Sequence, residues 1–302
     1  SLFEARFPGY EQPVLVVKTE EPGSKQLLAL KHGRVRSLCS DVVNHLVNDI
    51  AVMGARPLFV QDCIVCGKLE PAVVGGIVDG MAEACRAQGC SLTGGETSEQ
   101  PGTLAAGTYV LTACGVGVVE KAEIVDGSSI AAGDVVLALA SNGLHTNGYS
   151  LVRAMLSEHP ELADADVEGE PFLEVVLRPH TCYLRPLEPL FGSPAVHGMA
   201  HITGGGIRDN LRRVLPRGVD AIIDIGKLRI PAVFRRIRDA GGVSDADMLR
   251  TFNMGSGLIV VVAPGFAAEA EAALARQGCE SYAIGTVGAG EGDVRVEGTF
   301  RW

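Results

Sequence analysis

An apolar segment, Ser91-Leu92-Thr93, runs straight into Gly94-Gly95-Glu96-Thr97-Ser98-Glu99-Gln100-Pro101-Gly102. Two adjacent glycines carry no Cβ, so the backbone there can approach a phosphate closely. A carboxylate follows at once and a second three residues later. Glycine with carboxylate at the end of an apolar segment suits a nucleotide held through magnesium. The run is neither a Walker loop nor a dinucleotide fingerprint, which directs the fold away from both of those scaffolds.

Composition narrows the class. With 302 residues the chain has room for two domains. Hydrophobic residues make up 47% and aromatics only 5%, which suits tight α/β layers built from Ala, Val, Leu and Gly. The 38 glycines gather in short loops, favouring backbone contacts to a ligand over a flexible linker. Net charge is −10, and the one basic run, Arg235-Arg236-Ile237-Arg238, reads as a solvated helix face, so nucleic acid is not expected as a partner. The eight cysteines sit mostly in apolar runs as small hydrophobes, and Cys63-Ile64-Val65-Cys66 has no second ligand pair for a metal. No apolar run reaches membrane-helix length and no signal-peptide pattern is present, so the expectation is a soluble, cytoplasmic protein with no membrane partner.

Strand and helix patterns alternate along the chain. Pro13–Lys18 reads as a strand, Leu38–Met53 as a helix with Val42, Val43, Leu46 and Ile50 at helical spacing, and Leu58–Val65 as a strand. A helix over Val73–Gln88 leads to the short strand Ser91–Thr93, and Tyr109–Val119 is a long apolar strand. Polar turns near Asp126-Gly127 place a domain boundary near residue 125, giving domains 1–124 and 125–302. The second half brings a strand Val135–Ala140, a surface loop over Glu161–Glu170, a helix over Pro179–Leu190, a strand Ala221–Asp224, a helix Pro231–Ala240, a strand Gly257–Val262, a helix Phe266–Gln277 and a strand Ala283–Val287. The class is α/β or α+β.

Several polar groups stand out. Asp41 and Asp49 lie eight residues apart on one helix, about 80° apart in projection, with Asn48 beside them. They read as a metal-bearing helix or as a solvated stripe. Asp62 interrupts an apolar strand, where a carboxylate is costly without a partner. Lys68 follows Gly67 after that strand, as a ligand group or a surface lysine. Glu96, behind Gly94 and Gly95, is placed to serve phosphate and metal. Ser141-Asn142-Gly143-Leu144-His145-Thr146-Asn147-Gly148 enters a helix, which puts His145 in a loop suited to substrate or acid–base work. His201-Ile202-Thr203-Gly204-Gly205-Gly206 opens another helix, where free N–H groups bind anions. Asn253 hydrogen-bonds a ligand or caps a turn.

Taken together these segments resemble the phosphoribosylformylglycinamidine cyclo-ligase, or aminoimidazole ribonucleotide synthetase, family. The resemblance covers nearly the whole chain. It rests on Val47-Asn48-Asp49-Ile50, Gly54-Ala55-Arg56-Pro57-Leu58-Phe59, Gly67-Lys68-Leu69, the Gly94-Gly95-Glu96-Thr97 run, Gly115-Val116-Gly117-Val118-Val119-Glu120-Lys121, His145-Thr146-Asn147-Gly148-Tyr149-Ser150, the His201–Gly206 segment and Arg250-Thr251-Phe252-Asn253-Met254-Gly255-Ser256-Gly257. It implies a two-domain α/β (α+β) protein that forms a homodimer through its N-terminal domains. The sheets of two subunits then share a barrel, with ATP in a cleft near that interface. It also implies ATP- and Mg²⁺-dependent closure of formylglycinamidine ribonucleotide to aminoimidazole ribonucleotide, through an iminophosphate, with release of ADP and phosphate.

On that resemblance, Asp49, His145 and Lys25 are expected in catalysis. Lys68, Gly94, Gly95, Glu96, Thr97 and Asn48 are expected on ATP. Asn147, Thr203, Gly204, Gly205, Gly206 and Asn253 are expected on the substrate, and Asp41, Asp49, Glu96 and Glu20 on the metal. Two departures stand against the family pattern. The family's N-terminal glycine-rich segment is not seen before Ser1-Leu2-Phe3, which resembles the stretch just after it. The family's Thr-Asp-Gly-Val-Gly-Thr-Lys reads Thr19-Glu20-Glu21-Pro22-Gly23-Ser24-Lys25 here. The aspartate has gained a methylene, and Pro22 fixes a φ angle. These departures keep two alternatives open: another ATP-using member of the superfamily, such as a thiamine-phosphate kinase or selenophosphate synthetase, and a non-catalytic nucleotide-binding scaffold.

Overall fold

A computed structural model describes residues 1–302, which fall into two compact units, Ser1–Ile124 and Val125–Trp302. In the first unit the chain runs through β1 (Pro13–Glu20), α1 (Lys25–Lys31), α2 (Val35–Ala51), β2 (Arg56–Cys66), α3 (Pro71–Ala87), β3 (Ser91–Glu99) and β4 (Tyr109–Glu120). The four strands form one sheet in the order β1-β4-β2-β3. β2 and β3 are parallel, as the crossover through α3 requires, and the other pairs are antiparallel.

Period-2 alternation along β1 sends Val14, Val16, Lys18 and Glu20 to the helix-covered face and leaves Leu15 and Val17 outside. Val14 and Val16 pack with Ile50 of α2 and with Val119. The buried face of α2 carries Leu38, Val42, Val43, Leu46, Val47 and Ile50, the stripe that its 3.6-residue period anticipates. α3 crosses α2 where Gly80 meets Cys39; a Cβ on Gly80 would lie 2.9 Å from Cys39 Sγ.

The second unit contains β5 (Val135–Ala140), α4 (Tyr149–Glu158), a two-residue hairpin β6–β7 (Asp166–Val167, Glu170–Pro171), α5 (Phe172–Val176), α6 (Leu184–Leu187), β8 (Val196–His201) and α7 (Gly206–Arg212). It continues through β9 (Val219–Asp224), α8 (Ala232–Gly241), α9 (Asp245–Thr251), β10 (Ser256–Val262), α10 (Ala267–Arg276), β11 (Ser281–Ala289) and β12 (Val294–Glu297). Its six-stranded sheet is ordered β12-β9-β11-β5-β10-β8, antiparallel except for β12 beside β9. β10 lies inside it, and all seven of its residues are buried.

Four expectations change. The glycine pair is not in a loop after a strand: β3 runs on through Gly94, Gly95 and Glu96 to Glu99. The expected helix over Pro179–Leu190 shrinks to Leu184–Leu187 and a 3₁₀ turn, because Pro179, Pro186 and Pro189 each lack an amide donor. The expected loop over Glu161–Glu170 contains the end of a 3₁₀ turn and the β6–β7 hairpin. The helices α1, α5 and α9 and the strands β8 and β12 were not anticipated.

Candidate active site

In the first unit, β3 leaves its partner's register beside Gly94. Val60 pairs with Leu92 and Asp62 with Gly95, so Thr93 and Gly94 together face Gln61 in a bulge. Gly94 adopts φ +131°, which only glycine takes readily. Gly95 has no room for a Cβ: it would lie 2.1 Å from the Asp62 carbonyl oxygen and 2.5 Å from Asp62 Oδ1. The glycines thus let β3 bend and let Asp62 lie flat against it. A cleft of about 510 Å³ opens here, lined by Thr19, Asp62, Cys63, Gly94, Gly95 and Glu96 with Gln61, Thr112, Ala113 and Cys114. Burial pushes the Asp62 carboxyl up from the ordinary carboxylate range, although hydrogen bonding at its own backbone acts the other way. Lys68 is exposed beyond the end of β2, and neither it nor Thr97 lines this cleft. Asn48 is fully buried in α2.

The carboxylates expected on a metal are parted by the fold. Asp41 and Lys25 are both fully buried, and Lys25 Nζ lies 2.8 Å from Asp41 Oδ1. Desolvation lowers the Lys25 ammonium's pKa, against the pull of Asp41. Lys25, expected in catalysis, thus turns inward as a counter-ion. Asp49 and Glu20 meet instead around Lys18, whose Nζ is 2.8 Å from Glu20 Oε1 and 3.1 Å from Asp49 Oδ2. The eight-residue spacing put Asp41 and Asp49 on adjacent faces; α1 covers one and β1 supplies a lysine to the other. Of the four, only Glu96 lines the cleft; it pairs with Cys63 and so stands on the open face of the sheet, whereas the Asp62 side chain lies against Gly95 on the helix-covered face. Sequence reasoning passed over Lys18, although its place in the alternation of β1 puts it on the helix side. It also missed His45, which is one helical turn from Asp49.

In the second unit three histidines from separate segments converge. His145 follows β5, His180 precedes α6, and His201 ends β8; each is at most 5% exposed. His180 Nε2 lies 2.9 Å from His201 Nε2, and His180 Nδ1 is 3.4 Å from Thr146 Oγ1. The His145 ring stacks on His180 with centroids 4.0 Å apart and planes 22° apart. Their candidate ligand atoms lie within 4.8 Å of one another. In this arrangement His180 and His201 form a hydrogen-bonded pair, with the His145 ring stacked on the face of His180. His145 takes φ +60°, and Tyr149 Oη donates to its carbonyl at 3.1 Å. Gly257 gives the ring its space: a Cβ there would lie 2.5 Å from His145 Cε1 and 2.0 Å from Tyr183 Oη.

The residues expected on the substrate divide. Asn147 and Gly204 come together, with Asn147 Oδ1 3.3 Å from where a Gly204 Cβ would stand. Gly205 and Gly206 have φ of +93° and +65°, and Gly206 is packed against the Leu249 carbonyl. Asn210 holds this turn, donating to the carbonyls of Thr203, Gly204 and Gly206 while the Thr203 hydroxyl donates to its Oδ1. Asn253 spends its amide on structure: Nδ2 donates to the Gly143 carbonyl, and Oδ1 accepts from Ser141 Oγ and the Gly255 amide. Cys63 and Cys66 are three residues apart on β2, and the pleat sends them to opposite faces, so their spacing makes no metal pair.

Both units match known families. Residues 10–119 match the N-terminal domain of AIR synthase related protein, and residues 131–297 match its C-terminal domain. The phosphoribosylformylglycinamidine cyclo-ligase of Methylobacillus flagellatus is 43% identical over 299 residues, covering 98% of this chain and 86% of that protein. That of Chromobacterium violaceum is 46% identical over 280 residues, covering 92% of this chain and 81% of that protein. Among solved structures, hydrogenase maturation protein HypE in complex with ATP superposes with a TM-score of 0.70 at 18% identity, over 98% of this chain and 84% of that one. Thiamine-monophosphate kinase from Stenotrophomonas maltophilia does so with 0.68 at 19% identity, over 98% and 88%. These structural likenesses establish the shared fold, and the sequence identities establish the relationship: the chain belongs to the phosphoribosylformylglycinamidine cyclo-ligase family.

Proposed function

We propose that this protein is an enzyme that uses ATP to close formylglycinamidine ribonucleotide into aminoimidazole ribonucleotide in purine biosynthesis, with ADP and phosphate as the other products. The observation that carries this is the 41–46% identity to cyclo-ligases over most of the chain, spanning both units. An amide oxygen is a poor leaving group. Transfer of the γ-phosphoryl group to the formamide oxygen makes an iminophosphate, and the amidine nitrogen then attacks the activated carbon. Such a transfer needs positioning and charge neutralisation more than covalent help from the protein.

In this reading the first unit binds ATP and the second carries the substrate groups. The Thr93–Gly94 bulge offers backbone to the phosphates, and Glu96 would hold Mg²⁺, which neutralises phosphate charge when bound. His145 and Asn147 act on the substrate side, with the Thr203–Gly206 turn toward an anionic group. A homodimer is supported by the open face of the first sheet, where Leu15 and Val17 are 52% and 63% exposed. No helix is long and apolar enough to cross a membrane, and the setting proposed is the cytoplasm.

The test incubates the protein with ATP, Mg²⁺ and formylglycinamidine ribonucleotide and follows aminoimidazole ribonucleotide. Product formation is expected. ADP release without ring closure would instead mark a kinase of the same fold, and nucleotide binding without turnover would mark a scaffold.

A further inference from the structure

Lys18, Glu20, His45 and Asp49 form a charged cluster between β1 and α2. Glu20 Oε1 and Asp49 Oδ2 lie 2.8 and 3.1 Å from Lys18 Nζ. His45 Nε2 stands 3.8 Å from Glu20 Oε2 and 3.9 Å from Asp49 Oδ2. Two carboxylates from different elements therefore share one ammonium, with an imidazole behind them. The Lys18–Glu20 distance is that of a charge-assisted hydrogen bond.

The arrangement follows from the pleat of β1. Lys18 and Glu20 are two residues apart and so share the helix-side face, and the long lysine stem reaches forward between the carboxylates. The Lys18 side chain is 39% exposed, Glu20 21% and Asp49 16%, so its charge sits in partly excluded water. Burial by itself would lower the lysine pKa, but Glu20 and Asp49 outweigh it and hold the ammonium above its ordinary value.

We propose that Lys18 is the resident cation of the Glu20–Asp49 pair, occupying the position in which two such carboxylates would otherwise bind a divalent metal ion. Tethered by its own strand, the ammonium loses no translational freedom on reaching the pair. A magnesium ion would have to displace it and give up water, which Mg²⁺ does reluctantly. This departs from the expectation that Glu20 and Asp49 are metal ligands. It does not depend on which reaction the protein catalyses.

The test uses the full chain without nucleotide, titrated with Mn²⁺ and read by electron paramagnetic resonance of the free ion. Lys18→Met keeps the length of the stem and removes the charge. It is expected to bind one Mn²⁺ more than the wild type, and Lys18→Met/Glu20→Gln is expected to lose that ion. Equal numbers and affinities in wild type and Lys18→Met would overturn the proposal, as would an extra ion that survives Glu20→Gln. A second measurement avoids the lysine variant. Glu20→Gln in an otherwise wild-type chain is expected to leave the Mn²⁺ isotherm unchanged, and loss of an ion there would show that the wild-type pair is a metal site after all.

Discussion

Lys25 Nζ lies 2.8 Å from Asp41 Oδ1, and neither side chain reaches solvent. A buried pair of this kind is held together by what happens when one partner is lost. Asp41→Asn would leave an ammonium in the interior facing a neutral amide. The expected cost is about 3–5 kcal/mol, read from the urea midpoint at constant slope. The double variant Lys25→Met/Asp41→Leu removes both charges and is expected to recover most of that loss. If Asp41→Asn unfolds at the wild-type midpoint, the pair has no structural role.

The parts of this molecule legible in its sequence are those set by short-range periodicity. The apolar run of β10 and the 3.6-residue stripe of α2 describe their own burial, because each packs one continuous face. The relationships that decide the site are long-range. Lys25 and Asp41 are 16 residues apart, and Asn253 and Ser141 are 112 apart, so no local pattern reports either contact. The Gly94–Gly95 pair shows the same limit from the other side. Adjacent glycines read as a loop, yet the parallel pairing with β2 keeps them in a strand, where Gly95 is required by the Asp62 side chain behind it. Asn253 reads equally well as a ligand contact or a turn cap, and its bonds to Ser141 and Gly143 lie beyond the reach of any local pattern.

Gly257 is the packing partner of the His145 loop. A methyl group there would lie 2.0 Å from Tyr183 Oη and 2.5 Å from His145 Cε1. Both rings are buried, so neither can step aside without moving its neighbours. Gly257→Ala is expected to destabilise the protein by about 1–3 kcal/mol and to lower turnover by displacing His145. Tyr183→Phe removes the nearer of the two clashing atoms, together with its hydrogen bond to the Ala140 carbonyl. The double variant should therefore lose less stability than the two single changes added together, measured as a double-mutant cycle. Strict additivity would place the strain elsewhere.

Asp220 gives the second unit an acid-sensitive joint. Its Oδ1 accepts the backbone amides of Glu291, Gly292 and Asp293, and Arg295 lies 2.7 Å from its Oδ2. The amide hydrogen bonds from Asp293 and Glu291, with the Arg295 charge, hold this carboxyl below its ordinary value. A folded-state value below the unfolded one contributes stability above about pH 3.9 and loses it as pH falls from there through the folded value. Asp220→Asn is expected to melt at a lower temperature than the wild type at pH 7. The gap should close as the pH falls below 4. A gap that stays constant with pH would assign the loss to hydrogen bonding alone, without the charge.

The glycine bulge and the carboxylates around it make the last test. Glu96 lines the cleft, whereas Glu20 and Asp49 already hold Lys18. If the cleft carries the metal of ATP, Glu96→Gln removes charge at an exposed strand position without disturbing the core. Its expected effect is a rise in the Mg²⁺ concentration needed for half-maximal turnover, on the order of tenfold for the loss of one charged ligand contact worth about 1.4 kcal/mol, with the melting temperature unchanged. Gly95→Ala should act by another route. Its Cβ would stand 2.1 Å from the Asp62 carbonyl oxygen, so β3 has to part from β2, and ATP affinity and thermal stability should fall together. An unchanged Mg²⁺ requirement in Glu96→Gln would move the metal out of this cleft, whatever Gly95→Ala does to the strand.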